Sequence, residues 1–143
     1  MYNLNRFIEV QRKDYSKALN EIKNGKKLTH WVWYIFPQIK GLGTSDIAIY
    51  YSIDNLEEAK LYLGNDYLKN NLLEITQALL DLNNDNISEV LGYPDDLKVK
   101  SCMTLFHYAE PNIGLFKQVI DKYYNGEFDI NTINIIGRYN ENR

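Results

Sequence analysis

Two stretches of this chain gather side chains that can do chemistry. Residues 26–45 read KKLTHWVWYIFPQIKGLGTS and hold both tryptophans, Trp31 and Trp33, together with His30 and Pro37. Ligand pockets combine apolar or aromatic walls with a few placed polar groups. Trp31, Trp33 and Phe36 could form such a wall, with His30, Gln38, Ser45 and Lys26 or Lys27 as the polar groups. Gly41 and Gly43 would let backbone amides come close to a ligand. A helix opening near Thr44 or Ser45 would aim its amides at an anion. A plainer reading stands beside this one. Aromatic runs are usually core, Pro37 removes a backbone donor and ends the run, and Gly-Leu-Gly is a turn. Gly41-Leu42-Gly43 is not a phosphate loop, because no lysine with serine or threonine follows in register. It also lacks the third glycine and the parallel βαβ unit of a dinucleotide site.

The second stretch, residues 92–106, reads GYPDDLKVKSCMTLF. Asp95 and Asp96 suit the first turn of a helix that begins after Pro94, where carboxylates meet the positive end of the dipole. Either could instead stand at a cleft as general base or ligand contact. Lys98, Ser101 and Thr104 recur every three residues, so one helix face presents all three, to solvent or to a ligand. Ser101 as a nucleophile would need a base, and His30 is the obvious one. Cys102 and His107 are five apart on the same helix and face different ways, so Cys102 reads as a buried structural thiol. No metal-ligand spacing is present, and neither a structural metal nor a cofactor is expected.

The elements that must position these residues are helices. Leu4, Phe7, Ile8, Gln11, Tyr15, Ala18, Leu19 and Ile22 repeat at helical spacing, and Asn24-Gly25 is a stop signal. Asp54 with Glu57 predicts a capping box opening a second helix that ends near Gly64. Leu68, Leu72, Ile75, Leu79 and Leu82 form a stripe spaced four and three. A short turn over 87–91 stops at Gly92. The helix after Pro94 stops before Pro111. Ile113, Phe116, Ile120, Tyr123 and Tyr124 mark another, closed by Gly126. Asp129 caps a last helix carrying Ile130, Ile133 and Ile136, and a frayed tail follows Gly137. The fold class is all-α: a compact single-domain helical bundle over 1–143, with room for one short hairpin near residues 30–50.

Composition bounds the partners. The 143 residues carry a formal net charge of −3, which argues against the broad basic stripe that nucleic-acid backbones require. A small anion needs only one or two local cations and stays available. Aromatic residues make up 13% of the chain and twelve of them are tyrosine, which argues against disorder. The first fourteen residues are polar and unlike a signal peptide, and no apolar run approaches a membrane span. Cys102 is the one cysteine, so no internal disulfide forms and a reducing, cytoplasmic setting is expected.

Taken together, HWVWYIFPQIKGLGTS and GYPDDLKVKSCMTLF resemble the bacterial family called domain of unknown function 1810. The early helix with Tyr15, Ala18, Leu19 and Ile22, the Leu56–Tyr62 region and the Phe116 segment fit the family too, so the resemblance spans nearly the whole chain. It implies a single, mainly helical domain and carries no activity with it. Matching positions are His30, Trp31, Trp33, Phe36, Pro37, Gln38, Gly41, Gly43, Ser45 and Tyr51. In the second stretch Tyr93, Pro94, Asp95, Asp96, Leu97, Lys98, Ser101, Met103, Thr104, Leu105 and Phe106 match. Cys102 departs from the pattern, where serine is usual. Some members carry the label calpastatin, but a calpain inhibitor of that type is a disordered chain and this composition is globular.

Three readings follow. The first is a small-molecule binding module for a nucleotide-like or other anionic ligand, held by Gln38, Ser45, Lys98, Ser101 and Thr104 beside the aromatic wall and under the Gly41–Gly43 turn. The second is a hydrolase acting on a nucleotide or sugar derivative, with His30, Asp95 or Asp96 as acid or base. The third is an interaction domain without a pocket.

Overall fold

The computed structural model describes residues 2–141, and the described residues form nine helices and no strand. Helix α1 spans Asn5–Lys23 and buries Phe7, Gln11, Tyr15, Ala18 and Ile22 along one face. Gln11 is the polar member of that stripe. Its amide donates to the Tyr34 carbonyl at 2.8 Å and the Tyr62 hydroxyl at 3.0 Å, and its oxygen accepts from Asn71 at 3.0 Å. With both ends bonded, the amide is buried without a desolvation penalty left open. The helix stops as its sequence requires: Gly25 takes φ +80°, and the Lys26 amide bonds back to the Glu21 carbonyl at 3.1 Å.

The middle of the aromatic run is a short helix, α2, Val32–Ile35, and α3, Asp46–Tyr50, follows after a loop. The short hairpin for which residues 30–50 left room does not form among the described residues. Ile39 and Ile53 instead make one isolated parallel bridge, and both are buried. The α3 excursion returns the chain in the same direction, which an antiparallel hairpin cannot do.

Helix α4, Leu56–Gly64, starts one residue later than expected. Asn55, not Asp54, accepts from the Glu58 amide at 3.0 Å, and Glu58 reaches back to the Asp54 amide at 2.7 Å. Glu58 wins over Glu57 because it also pairs with Arg6 at 3.0 Å, in a site where its side chain is almost wholly buried. Helix α5, Asp66–Leu80, buries the Leu68, Leu72, Ile75, Leu79 stripe, and α6, Ile87–Leu91, ends on Gly92.

Helix α7, Asp95–Ala109, is the central element and packs against α4, α6, α8 (Leu115–Tyr123) and α9 (Ile130–Glu141). Residues 101–106 are all buried, so this middle stretch of the helix is enclosed around its circumference. Asp129 caps α9 by accepting from the Thr132 amide and hydroxyl at 2.9 and 2.6 Å. The helix runs on through Glu141 instead of fraying after Gly137, and the end of the expected tail lies outside the described residues. No helix among the described residues is long and apolar enough to cross a membrane.

Candidate functional site

The two chemistry-bearing stretches meet at the start of α7. The Lys27 amide donates to the Val90 carbonyl at 2.7 Å, which brings the chain after α1 alongside α6. Lys27 Nζ then lies 2.8 Å from Asp95, and Lys98 Nζ lies 3.6 Å from the other Asp95 oxygen. Each ammonium also covers an indole: Lys27 sits 5.1 Å from the Trp31 ring and Lys98 5.2 Å from the Trp33 ring. One carboxylate thus holds two cations, and each cation rests on a tryptophan.

Beyond this anchor, residues 38–43 border an open recess of about 250 Å³ against α7. Gln38, Leu42 and Gly43 line one side, and Leu97, Lys98, Lys100 and Ser101 the other. Asp129 and Asn131, at the positive end of α9, close it. The loop wall is tightly set. A Cβ on Gly43 would stand 2.5 Å from the Ala48 Cβ, so only glycine lets the loop approach α3. Gly41 takes φ +109° and lies against Ile135 of α9.

The charge in the recess is net positive. Asp95 is engaged more closely by Lys27 than by Lys98, which leaves Lys98 partly unneutralised. Lys100 adds a second cation, over the Tyr124 ring at 5.9 Å. Asp129 is the one carboxylate in the lining, and one of its oxygens is taken by Thr132. Ser101, which lines the recess but is 4% exposed, donates its proton to the Leu97 carbonyl at 3.2 Å.

The recess therefore joins Gln38, Gly43, Lys98 and Ser101 from the expected set. Others stand elsewhere. Trp31 and Phe36 are wholly buried core residues and cannot form a ligand wall. Leu42, Pro94 and Leu97 supply the apolar lining in their place, and Trp33 stays half-buried behind Lys98. Thr104 is also fully buried. It donates to the Lys100 carbonyl at 2.8 Å and accepts from the Asp129 amide at 2.9 Å, pinning α9 to α7 instead of touching a ligand. Ser45 caps α3, accepting from the Ala48 amide at 3.3 Å. His30 is exposed and does not line the recess. Asp95 is held in its ion pairs, and buried Asp96 accepts from the Ser88 hydroxyl at 2.6 Å. Of the four candidate catalytic groups only Ser101 reaches the recess. Cys102 is buried, and burial pushes its thiol well above the ordinary range.

The core position of Trp31 has a cause in α1. Its indole N–H donates to Glu21 at 3.0 Å, and Glu21 also accepts from the Leu28 and Thr29 amides at 2.7 and 3.0 Å and the Thr29 hydroxyl at 2.6 Å. Burial alone would raise this carboxyl. The four hydrogen bonds outweigh it and bring the pKa down to about 2. Sequence reasoning passed over Glu21, and over Lys100 and Asn131 in the recess, because none repeats at a spacing that marks a site.

Two other concavities are larger. One of about 350 Å³ lies near Lys60, Lys69 and Glu110, and one of about 430 Å³ lies beside Asn134 and Arg138. Neither takes a residue from the two motif stretches, so size does not select the site here.

These features define a single-domain, all-α protein whose two motif stretches close around one cationic, half-apolar recess. The chain belongs to the family described as protein of unknown function DUF1810, whose model matches residues 1–136. Among solved structures it is similar to the conserved hypothetical protein Rv1873 from Mycobacterium tuberculosis, with a TM-score of 0.92 at 40% identity. That match covers 94% of this chain and 96% of the other. No curated protein matches it.

Proposed function

We propose that the protein is a small-molecule binding module that takes a nucleotide-like or other anionic ligand in the recess between α7 and residues 38–43. The observation that carries this reading is the placement of Lys98 and Lys100 opposite Gln38, with a single capped carboxylate between them and α9. Two cations, an amide on each side and the positive helix end favour an anionic group. Leu42, Pro94 and Leu97 favour an apolar portion next to it. A cytoplasmic setting accords with the one buried cysteine.

Thermal melting and tryptophan fluorescence against nucleotides, sugar phosphates and nicotinamide derivatives test the reading. Trp33 reports directly, since Lys98 lies over it. A true ligand at a hundred times its Kd stabilises the fold by about 2.7 kcal/mol. Gln38→Ala and Lys100→Gln should abolish that shift. A panel without a response, or a response those variants leave intact, overturns the proposal. Incubation of a bound compound, followed by product analysis, separates a binder from a hydrolase.

A further inference from the structure

We infer that the ligand presents a ribose phosphodiester, one negative charge beside a sugar hydroxyl, with its phosphate against Lys98 and Lys100 and its hydroxyl donating to the open oxygen of Asp129. The inference rests on the nucleotide-like reading above and narrows it.

Charge selects the diester. Lys98, Lys100 and Asp129 are the charged residues of the lining, and they leave one positive charge in excess. Counting the neighbouring Lys27–Asp95 pair does not change that excess. One negative charge balances it. A phosphate monoester carries about −1.5 to −2 at neutral pH, whereas a diester has no second proton to lose and carries a single charge.

Hydrogen bonding selects the hydroxyl. The Thr132 amide and hydroxyl both donate to one Asp129 oxygen, Oδ2. The other, Oδ1, accepts no hydrogen bond among the described residues, and Asp129 lines the recess. An ionised carboxylate can only accept. A bare anion laid over it would be repelled and would leave it unsatisfied, while a donor next to the negative group satisfies it. A ribose phosphodiester carries such a donor, the 2′-hydroxyl, on the carbon beside the one that bears the phosphate. Gln38 and Asn131 also line the recess, and their side-chain amides hydrogen-bond to none of the described residues, which leaves them for sugar or base groups.

Calorimetric titration with adenosine 3′,5′-cyclic monophosphate, its 2′-deoxy form and adenosine 5′-monophosphate separates charge from hydroxyl. The natural chain is compared with Asp129→Asn and Lys100→Gln. Asparagine caps a helix as well as aspartate does, and melting curves check that both variants fold. With its oxygen kept by Thr132, the Asp129→Asn side chain turns a donor toward the recess in place of the acceptor. The cyclic nucleotide should bind the natural chain about tenfold more tightly than its 2′-deoxy form, and more tightly than the monophosphate despite its smaller charge. Asp129→Asn should close the gap between the cyclic nucleotide and its 2′-deoxy form, and Lys100→Gln should weaken both. A linear diester with the same hydroxyl, adenylyl-3′,5′-adenosine, distinguishes the two sources of this chemistry, and the tighter of the two diesters names the one the site takes. Tighter binding of the monophosphate, a 2′-deoxy form that binds as well as its parent, or a gap that Asp129→Asn leaves intact overturns the inference and leaves the anion site standing. If no phosphate-bearing probe binds, the anion site itself falls and the inference with it.

Discussion

Lys27 and Asp95 meet at 2.8 Å across the junction between the chain that leaves α1 and the first turn of α7. The pair is well shielded: the Lys27 side chain is 6% exposed and that of Asp95 17%. Asp95 thus serves neither as a free carboxylate nor as a simple dipole partner. It is the point at which the tryptophan-bearing stretch is fastened to the helix that carries Lys98 and Lys100.

Removing one member of this pair should cost more than removing both. Asp95→Ala leaves Lys27 buried without its counter-charge and brings it into repulsion with Lys98. A loss of about 3 kcal/mol is expected, in the range for breaking a buried pair from one side. The Lys27→Met/Asp95→Leu double variant should recover a good part of it, because an apolar pair of similar volume needs no counter-ion. Urea unfolding of the natural chain, Lys27→Met, Asp95→Leu and the double variant closes a cycle that gives the coupling directly. Equal losses in Asp95→Ala and the double variant would show that the ion pair adds nothing to packing.

Glu21 makes the stability depend on acid. Its folded pKa of about 2 lies below the ordinary 4.5, so the folded state holds the charged form more tightly than the unfolded chain does. Its contribution is therefore complete above pH 4.5, declines as pH falls, and is gone once pH passes through about 2. The difference corresponds to roughly 3 kcal/mol. In Glu21→Gln the stability should show a shallower fall across that window, and its deficit relative to the natural chain should shrink steadily as pH drops. A deficit that stays constant from pH 5 to pH 2.5 would mean that the Glu21 charge is not what holds Trp31 and Thr29.

The helices were largely legible from spacing, and the site was legible only in part. The stripes of α1 and α5, the stops at Gly25, Gly92 and Gly126, and the Asp129 cap all follow from local rules that act within one or two turns. The α4 cap slipped by one residue because Asp54-Asn55 and Glu57-Glu58 offer two registers, and Arg6, far back in α1, selects between them. Trp31 and Phe36 have the types of a ligand wall, but residue type does not reveal which face a partner covers. Glu21 and the core claim Trp31. Ser101 and Thr104 share a helix face, yet residues 101–106 of α7 are all buried, so that face divides between the recess and the α9 junction.

Gly43 should be replaceable only together with Ala48. Its missing Cβ would stand 2.5 Å from the Ala48 Cβ, closer than carbon atoms can pack, so Gly43→Ala must move the loop or α3. Overpacking of this kind costs about 1–3 kcal/mol, and the displaced loop carries Gln38 and Leu42 out of register with α7. Gly43→Ala should therefore lower the melting temperature and weaken any recess ligand. Adding Ala48→Gly removes the opposing methyl and should restore most of the binding, at the small propensity cost of a glycine in a short helix. If binding is lost equally in the single and double variants, the loop wall is not what the contact supports.

Thr104 offers the sharpest separation of a structural hydroxyl from a ligand-binding one. Its Oγ1 donates to the Lys100 carbonyl and accepts from the Asp129 amide, at zero exposure. Thr104→Val keeps the shape and deletes both bonds. The Asp129 amide is then left without its acceptor, at a cost of about 1–3 kcal/mol. Thr104→Ser keeps the hydroxyl and loses one methyl, so it should cost only about 1 kcal/mol. Because the lost bond holds the residue that caps α9, Thr104→Val should also raise the amide hydrogen-exchange rate of the α9 first turn. Ligand affinity should fall only as far as Asp129 and Asn131 shift with that turn, and saturating ligand should restore protection there. A Thr104→Val protein that keeps full α9 protection yet loses all binding would return this hydroxyl to the ligand.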